Sequence, residues 1–327
     1  MSAAGVPDVV DDIPDVVTVT LNPAIDLTVT LDRLVVGEVQ RAETAVANCG
    51  GKGVNVAGCL ADWGLRVAAT GVLGRSNAGA FGDFFARKGV ADRFVRIGGE
   101  TRTNIKIADR ASRQTTDINL PGLQVSEDAF AAVRATLKET VAPGRVFVLA
   151  GSLPRALPIT AWATLAADLA ALRARVVLDT SGAPLAVALE KGLPIAAVKP
   201  NRAELEALLG RALPTTADVI AAACSLLDGG VALVVVSLGA EGALFVDRRQ
   251  ALSAALPAKA VLSTVGAGDA MVAGIVAALV EGASLERIAR LSVAFAASKL
   301  DRIGPFLGPV DDVERLAAAV GVSALTN

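Results

Sequence analysis

Short runs of β-branched and aliphatic residues alternate with longer Ala- and Leu-rich stretches along most of the chain. The runs at 16–21, 67–72, 146–150, 176–179, 195–198 and 233–237 are almost wholly apolar and short, which predicts strands buried on both faces. The stretches near 52–63, 78–89, 126–140, 159–173, 183–191, 202–210, 215–228, 267–281 and 284–299 predict helices. Alternation of this kind gives an α/β fold, a mostly parallel sheet with helices on both faces. Two segments break the pattern. Residues 27–48 and 102–120 alternate polar and apolar positions, which predicts a half-exposed antiparallel sheet, a small lid over the strand ends. A bare lid leaves an apolar face open, so the chain is expected to pair with a second copy through it as a homodimer. No linker, repeat or low-complexity tract divides residues 16–327, which are expected to form one domain. Residues 1–15, with Asp8, Asp11, Asp12 and Asp15, are expected to be a short disordered leader.

Composition narrows the chemistry. The 327 residues are 53% hydrophobic, ample for a large core, with aromatics at only 3%. Mean hydropathy is high at +0.54, yet no stretch of ~18 apolar residues lacks a charge, so no membrane span is expected. The 31 basic residues nearly balance the 33 acidic ones, which gives no electrostatic case for nucleic acid or an anionic membrane surface. Cys49, Cys59 and Cys224 sit at unrelated spacings, against a disulfide framework or zinc site, and a cytoplasmic location follows. The chain has no histidine and no tyrosine. Acid–base work therefore falls to Asp, Glu, Lys or Cys.

The run Val265-Gly266-Ala267-Gly268-Asp269 opens onto an apolar helical stretch. The first N–H groups of a helix are free and its dipole end is positive, so the turn of Gly266, Ala267 and Gly268 suits an anion. Asp269 beside it is a poor phosphate ligand but a good acceptor of a hydroxyl proton. An anion hole next to a base is what phosphoryl transfer to an alcohol requires. Plain helix capping also favours Asp at such a position.

Other segments gather at predicted strand ends, where open α/β sheets bind ligands. In Gly50-Gly51-Lys52-Gly53-Val54-Asn55 three glycines surround Lys52 at a helix start, and Asn55 offers both a donor and an acceptor. The run lacks the Gly-Lys-Ser/Thr ending of a Walker loop, and it also suits a flexible glycine turn with Cys49 as a small filler. Asp26, in Asn22-Pro23-Ala24-Ile25-Asp26, is placed either to hold two hydroxyls of a polyol or simply to be solvated. Arg102 and Lys106 are cations beside the lid, and arginine suits bidentate phosphate contact, although edge strands often carry such residues. Ser152 either touches substrate or shapes its turn. Lys199, Asn201 and Glu204 suit phosphates and a hydrated magnesium ion, while Asn201 and Glu204 also read as a capping box. Ser237, Gly239 and Gly242 suit a hairpin under a nucleotide, or a plain glycine hairpin.

Taken together and in this order, these segments resemble the ribokinase-like carbohydrate kinases, the PfkB family, over about residues 18–301. Both family signatures are present, at 50–57 and 265–269, and the runs at 20–26, 37–41 and 101–106 resemble its phosphosugar branch. The resemblance implies a ribokinase-like αβα sandwich whose β-lid serves as a dimer interface. It implies ATP and Mg2+ as cofactors and a ketohexose monophosphate as acceptor. Fructose 1-phosphate, phosphorylated at its 6-hydroxyl, comes first, with tagatose 6-phosphate and fructose 6-phosphate as alternatives and a non-catalytic sugar-phosphate sensor as a remote one. On this resemblance Asp269 is the base and Gly266, Ala267 and Gly268 the anion hole. Asp26, Gly51, Lys52 and Asn55 hold the sugar, Arg102 grips its phosphate, and Ser152 is a weaker substrate contact. Lys199, Asn201, Ser237, Gly239, Gly242 and Gly268 contact the nucleotide, and Glu204 serves magnesium. The chain departs from the family at Ser263, where Asn or Asp is common, at Arg155-Ala156 in place of Pro-Gly, and in an unusual version of the adenine-side region at 297–309.

Overall fold

A computed structural model describes residues 13–112, 114–256, 265–302 and 304–325. Most of the expected leader and Ser263 lie outside the described residues. In chain order the elements are β1 (Val16–Thr20), β2 (Ala24–Leu31), β3 (Thr44–Gly50), α1 (Lys52–Asp62), β4 (Val67–Gly74), α2 (Gly79–Lys88), β5 (Ala91–Asp92), β6 (Val95–Ile97), β7 (Thr103–Asp109) and β8 (Gln114–Ile118). There follow α3 (Glu127–Thr140), β9 (Val146–Ala150), α4 (Ala161–Ala171), β10 (Arg175–Asp179), α5 (Ala183–Glu190), β11 (Ile195–Val198), α6 (Arg202–Leu209) and α7 (Thr216–Asp228). The chain closes with β12 (Val234–Ser237), β13 (Ala243–Val246), β14 (Ala251–Ala255), α8 (Ala267–Val280), α9 (Leu285–Leu300), α10 (Val310–Ala319) and β15 (Gly321–Leu325).

The main sheet runs β15-β14-β13-β12-β11-β10-β9-β1-β4-β5, with β6 also paired to β4. It is parallel from β12 through β5 and turns antiparallel from β12 out to β15. The apolar runs are buried because alternate residues feed two cores. Val146, Val148 and Ala150 of β9 join the core under α1, α2, α8, α9 and α10, while Phe147 and Leu149 join the core under α3 to α7. This three-layer arrangement matches the expected αβα sandwich. Sequence patterning passed over β13, β14, β15 and α10. Ala251–Ala255 is mostly alanine and Gly321–Leu325 has Val322 as its one β-branched residue, so both carry little of the β-branched signal of the central strands.

The second sheet is the expected lid, in the order β3-β2-β7-β8. One expectation needs correction: the sheet is mixed rather than antiparallel, because its central pair, β2 and β7, is parallel. β2 follows the end of β1, and β7 follows β6, which runs parallel to β4. Both strands therefore leave the main sheet in the same direction. Asp15, at the inner end of the expected leader, pairs with Arg66 at 2.6 Å.

Candidate active site

Asn22, Ser152, Asp179, Lys199 and Ser237 all sit at or just beyond the C-terminal ends of parallel strands, where an open α/β sheet leaves its crevice, and Gly51, which follows the lid strand β3, lies against Thr20 at the end of β1. Helix α8 starts there on Gly266, which holds φ +80° and gives no side-chain cap, so the first N–H groups of the helix stay open. Among the described residues, a side chain at Gly268 would meet Lys199 alone, its ammonium at an ordinary 3.5 Å. Packing against those residues therefore does not demand glycine at 268. Gly242 is different. A Cβ there would lie 2.1 Å from the Ala254 carbonyl, so strand packing by itself explains that glycine.

Asp269, in the first turn of α8, is buried and accepts a 2.7 Å hydrogen bond from Asn55 Nδ2 on α1. That single bond joins the two sequence signatures, which lie far apart in the chain. Burial pushes the Asp269 carboxyl up to about 6, against the opposing pull of Lys52, the Asn55 hydrogen bond and Lys199; Asp179 adds to the rise. Asp179 ends β10 only 2% exposed and pairs with Lys52 at 3.2 Å and with Lys199 at 3.7 Å. Burial would lower the Lys52 ammonium, but Asp179, Asp269 and Glu204 hold it above its usual value. Sequence reasoning missed Asp179; its one signal was a carboxylate closing an apolar strand.

The lid covers a cleft of about 110 Å³ whose walls include Asp26, Thr28 and Thr30 of β2, Asn48 of β3, Lys106 and Ala108 of β7, and Gly266 of the turn. Alternate lid residues thus put a polar face toward the turn. Asp26 accepts from Asn104 Nδ2 at 3.1 Å, and burial raises its carboxyl against the pull of Lys106 and Asn104. A Cβ at Gly50 would lie 2.6 Å from Asp26 Oδ2, so a side chain there would displace the Asp26 carboxylate. Asn22 donates to the Ser152 hydroxyl at 3.1 Å and so orients it. The Arg102 guanidinium donates to the carbonyls of Pro23, Leu120 and Asn22 at 3.0–3.3 Å. Three of its five N–H donors are thereby engaged, and Lys106 is the lid cation that lines the cleft. Cys49 also lines it; burial pushes its thiol up to about 11, which suits a filler and not a nucleophile.

On the other side, Asn201 and Ser237 form an isolated parallel bridge. Asn201 Oδ1 accepts from Glu204 N, and Glu204 Oε2 accepts from Asn201 N, both at 2.8 Å, which completes the capping box. Gly239 and Gly242 bound the turn between β12 and β13. The described residues contain no group of three or more potential metal ligands. Magnesium does not need one, because it keeps several waters and takes one or two carboxylates together with substrate phosphates. Among the described residues, Glu204 Oε1 makes no hydrogen bond, and Asp179 Oδ2, paired with Lys52, is buried without an aligned one, so the donor set fits a hydrated ion. No described helix is long and apolar enough to cross a membrane.

Residues 19–309 match the pfkB family of carbohydrate kinases. The 1-phosphofructokinase of Xanthomonas campestris pv. campestris is 50% identical over 94% of this chain and 98% of its own length. That of Rhodobacter capsulatus is 46% identical over 95% and 98%. Among solved structures, the phosphofructokinase-2 of Escherichia coli in complex with fructose-6-phosphate superposes with a TM-score of 0.87 at 31% identity, over 93% of this chain and 98% of that one. Arabidopsis thaliana ribokinase, complexed with ribose and ATP, superposes at 0.73 with 26% identity over the same shares. With the fold, both signatures and near full-length similarity in agreement, the chain belongs to the pfkB family of carbohydrate kinases, as a ribokinase-like sugar kinase.

Proposed function

We propose that the protein transfers the γ-phosphoryl group of ATP to the 6-hydroxyl of fructose 1-phosphate, giving fructose 1,6-bisphosphate and ADP. The observation that carries this reading is the buried Asp269 carboxylate at the uncapped start of α8, bonded to Asn55, which lines the same cleft as the Asp26 carboxylate of the lid. The 50% identity to a 1-phosphofructokinase supports the choice of sugar. Asp26 and Asn55 accept and donate hydrogen bonds to the sugar hydroxyls, beside the Gly51 turn and Lys52. The free donors of Arg102, with Lys106, take the existing phosphate. Asp269 accepts the proton of the 6-hydroxyl as its oxygen attacks phosphorus, and the N–H groups of Gly266, Ala267 and Gly268 stabilise the charge on the transferring group. Lys199, Asn201, Ser237, Gly239 and Gly242 would contact the nucleotide, and Glu204 would help hold a hydrated magnesium ion, which would offset the phosphate charge.

The lid argues for a homodimer. Its polar face lines the cleft, while Leu27, Val29, Ile105, Ile107 and Ile118 alternate onto the opposite face, and Val36 and Val39 nearby are 94% and 95% exposed. Burying these residues against a second copy removes a sizeable apolar patch from water. The dimer acts in the cytoplasm, as a phosphosugar supply requires. The test is ADP release with MgATP and, in separate reactions, fructose 1-phosphate, fructose 6-phosphate, tagatose 6-phosphate and free fructose. The highest kcat/KM is expected with fructose 1-phosphate. A preference for a 6-phosphate overturns the sugar, and binding without turnover overturns the kinase reading in favour of a sensor. A monomer mass by light scattering at micromolar concentration overturns the dimer.

A further inference from the structure

Two lysines bracket the start of α8. Lys199 approaches from the β11 end, its Nζ 3.5 Å from where a Cβ on Gly268 would stand. Lys299, in the last turn of α9, approaches from the other side, its Cε 3.3 Å from where a Cβ on Gly266 would stand. Both are buried, at 7% and 3% exposed. Their charges are treated differently. Lys199 has Asp179 as a counter-ion. Lys299 forms no ion pair with any described residue; its ammonium makes one hydrogen bond, 2.6 Å to the Arg302 carbonyl, and has two further N–H donors. It lines the cleft beside Gly266 and Asn55.

A buried ammonium without a counter-ion is costly, and an anion arriving from outside the chain would supply the missing charge. The charged groups around the turn are Lys52, Lys199, Lys299 and Arg302 against Asp179, Asp269 and Glu204. The balance of one positive charge suits an incoming polyanion. Burial lowers the Lys299 ammonium, while Cys59 and Asp269 pull the other way. The bond to Arg302 also ties the segment after α9, which carries Gly304 and Pro305 of the cleft wall, to the turn.

We propose that Lys299 is a further phosphoryl-binding residue, whose ammonium contacts a phosphoryl oxygen at the α8 turn opposite Lys199. Its counter-ion is the substrate's own phosphate. This rests on the kinase reading above and adds a cation that neither family signature contains.

The test compares Lys299→Met, Lys299→Arg and Lys299→Ala with the wild type, each with a thermal melt. Lys299→Met should lower kcat at least about tenfold, toward the roughly 10²–10³ of losing one preorganised donor, with KM for the phosphosugar within about threefold of the wild type. Lys299→Arg keeps the charge and should retain more activity than Lys299→Met. Ammonium chloride should raise the kcat of Lys299→Ala severalfold, and tetramethylammonium chloride at equal ionic strength should not. A Lys299→Met kcat within twofold of the wild type overturns the proposal, as does equal response of Lys299→Ala to the two salts. If Lys299→Met fails to fold, the salt comparison on Lys299→Ala and the activity of Lys299→Arg decide. A wild type without turnover overturns the kinase reading instead, so the two failures are separable.

Discussion

Helices α6 and α8 both begin at the C-terminal edge of the main sheet, and both carry a carboxylate in the third position of the helix, yet they use it in opposite ways. In α6, Glu204 turns back to accept from the N-cap N–H while Asn201 accepts from the helix, and the end is closed. In α8 the N-cap is Gly266, with no side chain to give, and Asp269 reaches across to Asn55 on α1 instead. Helix α1 starts the same way, on Gly51 at φ +109°. Its N-terminus and that of α8 open into one site, whereas α3, α7 and α9 are closed by Ser126, Thr215 and Ser284. A capped end has satisfied its own N–H groups, and at α6 it offers a ligand spare oxygen acceptors such as Glu204 Oε1. The two uncapped glycine ends joined by the Asn55–Asp269 bond are left for a ligand.

The comparison can be broken at several points. The largest effect is expected for Asp269→Asn, which should lower kcat by roughly 10²–10⁴ as a general base is lost, while leaving a folded, ATP-binding protein. Its sign on stability is also fixed. The Asp269 pKa is raised to about 6 from 3.8, so the folded state keeps a proton that the unfolded chain releases between about pH 4 and 6. Stability from this group is present at low pH and is lost as pH rises through that window. The Asn variant should therefore melt no lower than wild type at pH 8, and lose its advantage toward pH 4. Turnover runs the other way: kcat/KM of the wild type should fall as pH drops through about 6.

Asp179→Asn comes next. It strips the counter-ion from Lys52 and Lys199 and should cost roughly 2–3 kcal/mol in urea unfolding, below the usual range for a fully buried pair because Lys52 is half-exposed. It should also raise KM for MgATP. The smallest effect belongs to the closed end. Asn201→Ala should cost about 1 kcal/mol of stability and change kcat by less than Asp179→Asn does. A large loss of kcat with unchanged stability at Asn201 would erase the contrast between the two helix starts.

Much of this was legible in the sequence because the carriers are local. The buried strands and most helices follow from periodicity, and Gly51, Asn55, Gly266, Gly268 and Asp269 sit in compact motifs. What escaped depends on contacts between distant segments. Asn104 supports Asp26 through the parallel β2–β7 pairing, which alternation cannot reveal. Asp179 becomes the hub of two lysines only when β10, α1 and β11 converge. Lys299 reads as an ordinary basic residue near a helix C-terminus until the fold buries it against the α8 turn. Arg102 shows the reverse: its residue type suits a phosphate, and the fold engages most of its donors on carbonyls.

The most direct test of the open helix end is Gly268→Ala, with melting temperature and kcat for MgATP and fructose 1-phosphate measured on the same preparation. The protein has room for the methyl group, so a melting temperature within about 2 °C of the wild type is expected, since ordinary surface changes shift stability little. The same methyl group fills the space where the transferring phosphoryl would sit, and kcat should fall about a hundredfold, as for loss of an oxyanion-type site. Unchanged stability with near-normal kcat would contradict the assignment of the α8 turn as the site of phosphoryl transfer.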